Sequence, residues 1–319
     1  MISRHQLFAG VAAIAVLASA VSFAADGGQP VSFKTDVAYP ESVTWSAKRN
    51  AFLVSSVRHG TIGTVSPKGD YATFITDDKL VSTVGLLVDD KRNALWVANS
   101  DPGAGDRTSA ATQGKLAGVA KYDATTGKRI AYYDLGSLSE GAHFANDIAL
   151  DADGNAYVTD SFAPIVYRID TSGTASIFAR TPRFKDADGF NLNGIAYHKD
   201  GYLLVGKYNS GEIFRISVAD PTRIETVELP EALKGADGFS LVDDQHLVVA
   251  QGLSIDRTIE LVSTDGWKSA KISRELKSLT SMPSAATQAG KDIWVLNSRL
   301  DTLFDPKAEK VSEYLLQKF

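Results

Sequence analysis

Six copies of one short pattern run through the chain, an apolar doublet ending in valine: "AFLVSS", "ALWVANS", "NAYVTDS", "YLLVGKYNS", "HLVVAQG" and "DIWVLNS". Their valines are Val54, Val97, Val158, Val205, Val249 and Val295, at intervals of 43, 61, 47, 44 and 46 residues. A period in the forties restricts the chain to a repeat architecture, in which each unit buries its apolar surface against its neighbours.

Each copy follows a turn signal such as "KRN", "ADGN" or "KDG", and before that turn lies another short apolar run: "SVTW", "VGLLV", "DIALD", "GIAYH", "GFSLV" or "SAAT". Every unit therefore opens with a β-hairpin. Further strand-like runs, for example "IVYRID" then "ASIFA", bring a unit to four strands. Six such units predict an all-β fold, a six-bladed β-propeller of four-stranded blades over residues 25–319, with two packed β domains as the alternative. Nothing rich in Pro, Gly and Ser near the middle reads as a linker. The segment "VSFKTDV" is expected to add a strand beside "VSEYLL", because closing the ring removes exposed sheet edges. A closed all-β unit accommodates 319 residues, although that length exceeds the usual single domain.

The first residues carry Arg4, a mostly apolar run from Leu7 to Val21, then small residues at Ser22 and Ala24. This is a secretory-signal pattern, and the run is shorter than the roughly 20 residues a membrane span needs. Cleavage after Ala24, leaving no stable membrane anchor and a periplasmic or secreted protein, is the expectation. The absence of cysteine is compatible with export, since a domain of this size does not require disulfides. The formal net charge is −5, becomes −6 once Arg4 leaves, and includes no polybasic run, so nucleic acid and anionic membrane are not expected partners.

The same intervals align the starts of the inner strands at Glu41 ("PESVTW"), Val84 ("TVGLLV"), Asn146 ("ANDIAL"), Asn193 ("LNGIAY"), Asp237 ("ADGFSL") and Pro283 ("MPSAAT"). In a propeller these points ring the central channel, so Glu41, Asn146, Asn193 and Asp237 are expected to converge. Two carboxylates and two carboxamide oxygens form a hard donor set that suits Ca²⁺ and tolerates Mg²⁺ or Mn²⁺, whereas zinc would call for His or Cys. Asn-Gly, Asp-Gly and Asn-Asp are also turn dipeptides, and any one alone is more often a turn than a ligand; four in register with the period favour the ligand reading.

A second ring lies two residues past each repeat valine: Ser56, Asn99, Asp160, Lys207, Gln251 and Asn297. Strand ends meet solvent and are often polar. The sharper reading makes Asn99, Asp160, Lys207, Gln251 and Asn297 a substrate rim around the ion, with Asp160 and Lys207 as its charged contacts. The 61-residue interval reflects a loop from Asp101 to Gly118, which reads either as a surface insertion or as a lid. Among the histidines only His59 and His143 are placed to reach this face.

At these residues the chain resembles the senescence-marker-protein/gluconolactonase family (regucalcin-like), and more distantly the paraoxonases and diisopropyl fluorophosphatase. The likeness spans the expected mature chain and rests on the order Glu41, Asn146 in "FAND", Asn193 in "NLNG" and Asp237 in "GADG". It implies a catalytic divalent cation held by those four residues, and hydrolysis of a small-molecule lactone or ester in which Asp237 takes a proton or attacks. Sugar-lactone members carry an Arg two residues before the first Asn, where this chain has Phe144. A non-catalytic binding propeller and a phosphotriesterase-like hydrolase are the alternatives.

Overall fold

The computed structural model describes residues 28–186 and 189–319, and the leader expected at residues 1–24 lies outside them. Six four-stranded antiparallel sheets are arranged as the blades of a propeller. Their inner strands are Val43–Ser46, Ser82–Asp89, Ala145–Leu150, Leu192–His198, Ala236–Leu241 and Pro283–Ala289, for blades one to six in that order. Each inner strand packs against the inner strands of both neighbouring blades, and blade six meets blade one, so the ring closes. Among the described residues no helix is long and apolar enough to cross a membrane.

The valine doublet has a simple physical cause. A second strand is buried on both faces, and successive side chains point to opposite faces, so one residue of each doublet enters each flanking interface. Val54 packs between blades six and one, beside Phe33 and Tyr314, while its predecessor Leu53 packs between blades one and two, beside Val97 and Tyr122. The rule repeats around the ring: Val158 faces blade two with Trp96, and Tyr157 faces blade four with Phe214. Val249 faces blade four with Leu204, and Val248 faces blade six with Val295. All six repeat valines are at most 1% exposed, so shortening any one to alanine opens a cavity that costs about 1–3 kcal/mol.

Blade six is built from both ends of the chain. Its order places Pro283–Ala289, Asp292–Asn297 and Glu313–Lys318 beside the outer strand Val31–Lys34. Val31 is paired with Leu316 and Lys34 with Glu313, the closure expected from the sequence.

The inner strands share an irregularity that aims the site. In blades two to five, two inner-strand residues face one residue of the second strand: Val84 and Gly85, Asn146 and Asp147, Asn193 and Gly194, Asp237 and Gly238. Such a β-bulge re-aims side chains and sharpens the local twist. Asn-Gly and Asp-Gly are thus neither plain strand nor turn here. The glycine has a steric reason: a Cβ on Gly194 would lie 2.2 Å from the Asp237 carbonyl oxygen, and one on Gly85 would lie 2.2 Å from that of Asn146. Bulge and glycine together let neighbouring inner strands approach closely while the first residue of each pair is turned toward the axis.

Candidate metal centre

Glu41, Asn146, Asn193 and Asp237 line one cavity of about 230 Å³ at the mouth of the central channel, together with Val84. Pro283 does not border it, and its neighbour Met282 does. The four expected residues therefore share a single space.

Each is held by its own blade. Glu41 precedes the first inner strand, and its N–H donates to Ser55 Oγ at 3.0 Å. Its carbonyl accepts from the Ser284 hydroxyl of blade six. Asn146 Nδ2 donates to Ser161 Oγ at 2.9 Å, and that hydroxyl donates to the Leu192 carbonyl at 2.6 Å, fixing which way the carboxamide oxygen points. The Asn193 side chain hydrogen-bonds the Asp237 carboxylate.

What remains unpaired matters more. Asn146 Oδ1, Asn193 Oδ1 and Asp237 Oδ1 are buried and have no hydrogen-bond partner. Buried polar atoms are ordinarily satisfied, so three orphan acceptors in one cavity, beside a fourth residue that can only accept when ionised, describe a place for a cation. The electrostatics agree. Burial pushes the Glu41 carboxyl well above its usual range, and the neighbouring charges of Asp237 and Asp147 push it further. Burial and then Asp147 do the same to Asp237. Among the described residues no Lys or Arg lines the cavity to offset these charges. Ionised carboxylates so placed repel one another and call for a counter-charge.

The residues present fit a hard divalent ion. All donors are oxygens, and four protein ligands leave about two to four of the 6–8 positions that Ca²⁺ takes. Among the described residues no group of three or more His, Cys, Asp and Glu side chains is placed to hold a metal, so the set depends on its two carboxamides.

Asp147, next to Asn146, lines the neighbouring cavity among the inner strands and not this one. It stands where the other bulges have glycine, and N–H groups of Ile148, Ile195 and Phe239, from three adjacent blades, donate to it. Burial outweighs these bonds and pushes its carboxyl up to about 7.

The second ring does not border the cavity. Asn99 Oδ1 accepts the Val81 N–H at 2.8 Å, and its Nδ2 donates to the Lys79 carbonyl and the Tyr132 hydroxyl. Asp160 Oδ1 accepts N–H groups of Phe144, Phe162 and Ala163, each at 2.9 Å. Its Oδ2 takes His143 Nδ1 at 2.8 Å and the Tyr167 hydroxyl at 2.9 Å. Lys207 Nζ lies 2.8 Å from Asp186 and 3.4 Å from Glu212. Gln251 donates to the Lys234 carbonyl and accepts from Arg257 Nε. Asn297 accepts the Thr280 N–H at 3.0 Å. Where a substrate rim was expected, these five buried side chains use their polar atoms to tie down the loops around the inner strands.

The histidines are likewise engaged elsewhere. His143 Nε2 lies 2.9 Å from the Ser139 carbonyl, and His59 Nδ1 lies 2.6 Å from Asp106. The Asp101–Gly118 loop is laced to its surroundings: the Asp101 carboxylate accepts from Gly103 N, Thr108 Oγ1 and Thr112 Oγ1, while Arg107 donates to the Leu80 carbonyl. It gives Pro102 to the cavity wall.

Phe144, singled out in the sequence where sugar-lactone members carry Arg, is part of that wall; the rest of it escaped the sequence reading: Phe190, Tyr208, Leu253, Met282, Leu300 and Phe304, with Val57. One signal was present. Three residues past the repeat valines come Val57, Ser100, Ser161, Tyr208, Gly252 and Ser298, which point opposite to the second ring. Val57 and Tyr208 line the cavity, and Ser161 holds Asn146. Leu253, Leu300 and Phe304 come from connections of unequal length, which no period reveals.

No protein-family model matches this chain, and no curated protein matches it. Solved structures share its fold. The major Malassezia sympodialis allergen Mala s 1 superposes with a TM-score of 0.71 at 19% identity, covering 91% of this chain and 95% of the allergen. A protein described as a candidate gluconolactonase gives 0.62 at 15% identity over 93% of both chains. Virginiamycin B lyase from Staphylococcus aureus gives 0.56 at 13% identity, over 91% of this chain and 99% of the lyase.

Proposed function

We propose that this chain is an exported, metal-dependent hydrolase of the gluconolactonase type, opening a lactone or related ester with Ca²⁺ as its natural ion. The observation that carries the reading is the set of three orphaned acceptor oxygens, from Asn146, Asn193 and Asp237, beside Glu41 in one cavity. The candidate gluconolactonase of the same fold adds support.

In this reading Glu41, Asn146, Asn193 and Asp237 hold the ion. When bound, a hard dication polarises an ester carbonyl and stabilises the negative charge that develops on attack. The protein supplies the rest. Asp237 keeps one oxygen without a hydrogen-bond partner in the cavity and is, as the family resemblance implies, the carboxylate placed at the ion's edge to act on water or on the carbonyl. It takes the proton of the attacking water or attacks the carbonyl carbon itself. Glu41 and the two carboxamides share the ion with Asp237, while the apolar wall restricts water.

Metal analysis of protein purified without chelator, paired with assays of the stripped and reloaded forms on lactones, aryl esters and phosphotriesters, tests the proposal. One bound dication and chelator-sensitive lactone or aryl-ester hydrolysis are expected. Turnover of phosphotriesters alone would move the chain to the phosphotriesterase class, and silence on every substrate with the ion bound would leave a binding module. Sequencing of the mature N-terminus tests export: the first residue is expected to be Ala25.

A further inference from the structure

The cavity floor and its walls have opposite chemistry. Beyond the four floor residues the lining is Phe144, Phe190, Leu253, Met282, Leu300 and Phe304, with smaller apolar groups and one tyrosine. Phe144 and Phe190 pack edge to face at 5.6 Å, and Phe190 meets Tyr208 in the same way at 6.0 Å, so an aromatic arc stands over the floor. Leu253 is 45% exposed and Phe304 51%, which carries the apolar surface out to the rim.

Tyr208 is the single exception in polarity. Its backbone is fixed on both sides, by N–H donation to the Asn191 carbonyl at 2.7 Å and by acceptance from the Gly235 N–H at 2.7 Å. A Cβ at Gly252 would lie 3.3 Å from the Tyr208 hydroxyl and 3.2 Å from the Met282 sulfur, so the glycine leaves room beside the phenol. Tyr208 lines the same cavity as the floor residues, with its hydroxyl on the side of Gly252. Burial, then the charges of Asp237 and Glu41, push its pKa upward, and the group stays a protonated donor.

We infer that the site takes a small apolar ester or lactone, with its hydrocarbon part against the phenylalanine arc and its carbonyl end donated to by Tyr208, and that it rejects polyhydroxylated lactones. This rests on the hydrolase reading only for the word ester; the fit to the wall is independent of turnover. A sugar lactone would bring several hydroxyls into a cavity whose wall offers them one partner, and each hydroxyl left unpaired weakens binding by about tenfold or more. Hydrocarbon gains instead, by about three- to fourfold for each methylene buried. At about 230 Å³ the space is smaller than the roughly 300–1,000 Å³ of drug-sized sites, so the gain stops at a short chain.

Displacement of the dye 8-anilinonaphthalene-1-sulfonate from the full mature protein, loaded with Ca²⁺, reads binding without requiring turnover. From δ-hexalactone through δ-octalactone to δ-decalactone affinity should rise about threefold per methylene and then level off, with glucono-δ-lactone at least about 100-fold weaker than the best of the series. Tyr208→Phe should weaken the series about three- to tenfold and leave Ca²⁺ affinity, measured by calorimetry, unchanged. Leu253→Lys at the exposed rim should flatten the chain-length dependence without altering folding. Displacement by δ-decalactone with no ring opening sustains the inference while ending the hydrolase reading. Preferred binding and hydrolysis of glucono-δ-lactone does the reverse, and failure of every lactone to displace the dye overturns the inference.

Discussion

Two rings of polar side chains, set by one period on one face of the propeller, meet opposite fates. The ring of Glu41, Asn146, Asn193 and Asp237 keeps three buried oxygens without partners. The ring of Asn99, Asp160, Lys207, Gln251 and Asn297 is as deeply buried, and each member hydrogen-bonds to protein. Register and polarity are shared; access to the cavity and the hydrogen-bond accounting separate a site for a ligand from a set of internal ties. A satisfied polar group stabilises the fold. An unsatisfied one costs free energy until something binds.

That contrast is broken or sharpened by four substitutions and conditions. Asp160→Ala strips a fully buried carboxylate of its His143, Tyr167 and backbone partners, and should cost about 3–5 kcal/mol in urea unfolding. Asp237→Asn should show the mirror image: stripped protein at least as stable as the parent, and hydrolysis slower by about 10²–10⁴. A fold as damaged by the second change as by the first would erase the distinction between the rings.

The pH dependence discriminates next. Glu41 and Asp237 must lose their protons to hold a cation, and both are shifted upward. Ca²⁺ affinity measured by calorimetry should therefore begin to fall at a pH above the ordinary carboxylate range, and steepen on acidification. In stripped protein the sign reverses for stability: folded carboxyls with raised pKa hold protons that the unfolded chain has released. Stability is thus lost as pH climbs from about 4 toward the value of about 7 at Asp147. Bound Ca²⁺ should suppress this loss. His143, raised by its hydrogen bond to Asp160, contributes stability that is complete below its unfolded pKa of about 6.5 and lost as pH rises through its folded value. Metal should leave that part untouched.

Ser56→Ala is the smallest perturbation. It removes the bond from Ser56 Oγ to the Ala38 carbonyl at 2.7 Å, and a cost of about 1–2 kcal/mol in thermal unfolding is expected, with unchanged Ca²⁺ affinity.

The sequence made the architecture legible because blade packing repeats: Val54 and Leu53 face opposite interfaces, and so do Val158 and Tyr157. It also put Glu41, Asn146, Asn193 and Asp237 in register, since bulges in three of those blades recur at one point. The use of Asp160 or Asn99 was not legible, because partners such as Phe144 N and Val81 N are backbone groups common to every residue. The wall was hidden for a different reason. Leu253, Leu300 and Phe304 lie on connections whose lengths follow no repeat, and of the wall only Phe144 was marked, by its place in the family pattern.

Blade six joins Val31–Lys34 to Glu313–Lys318, so the circle is fastened by two segments far apart in the sequence. Removing Val31–Lys34 would bare the hydrogen-bonding edge of Glu313–Lys318, so this long-range clasp shields the blade from pairing with a neighbouring molecule.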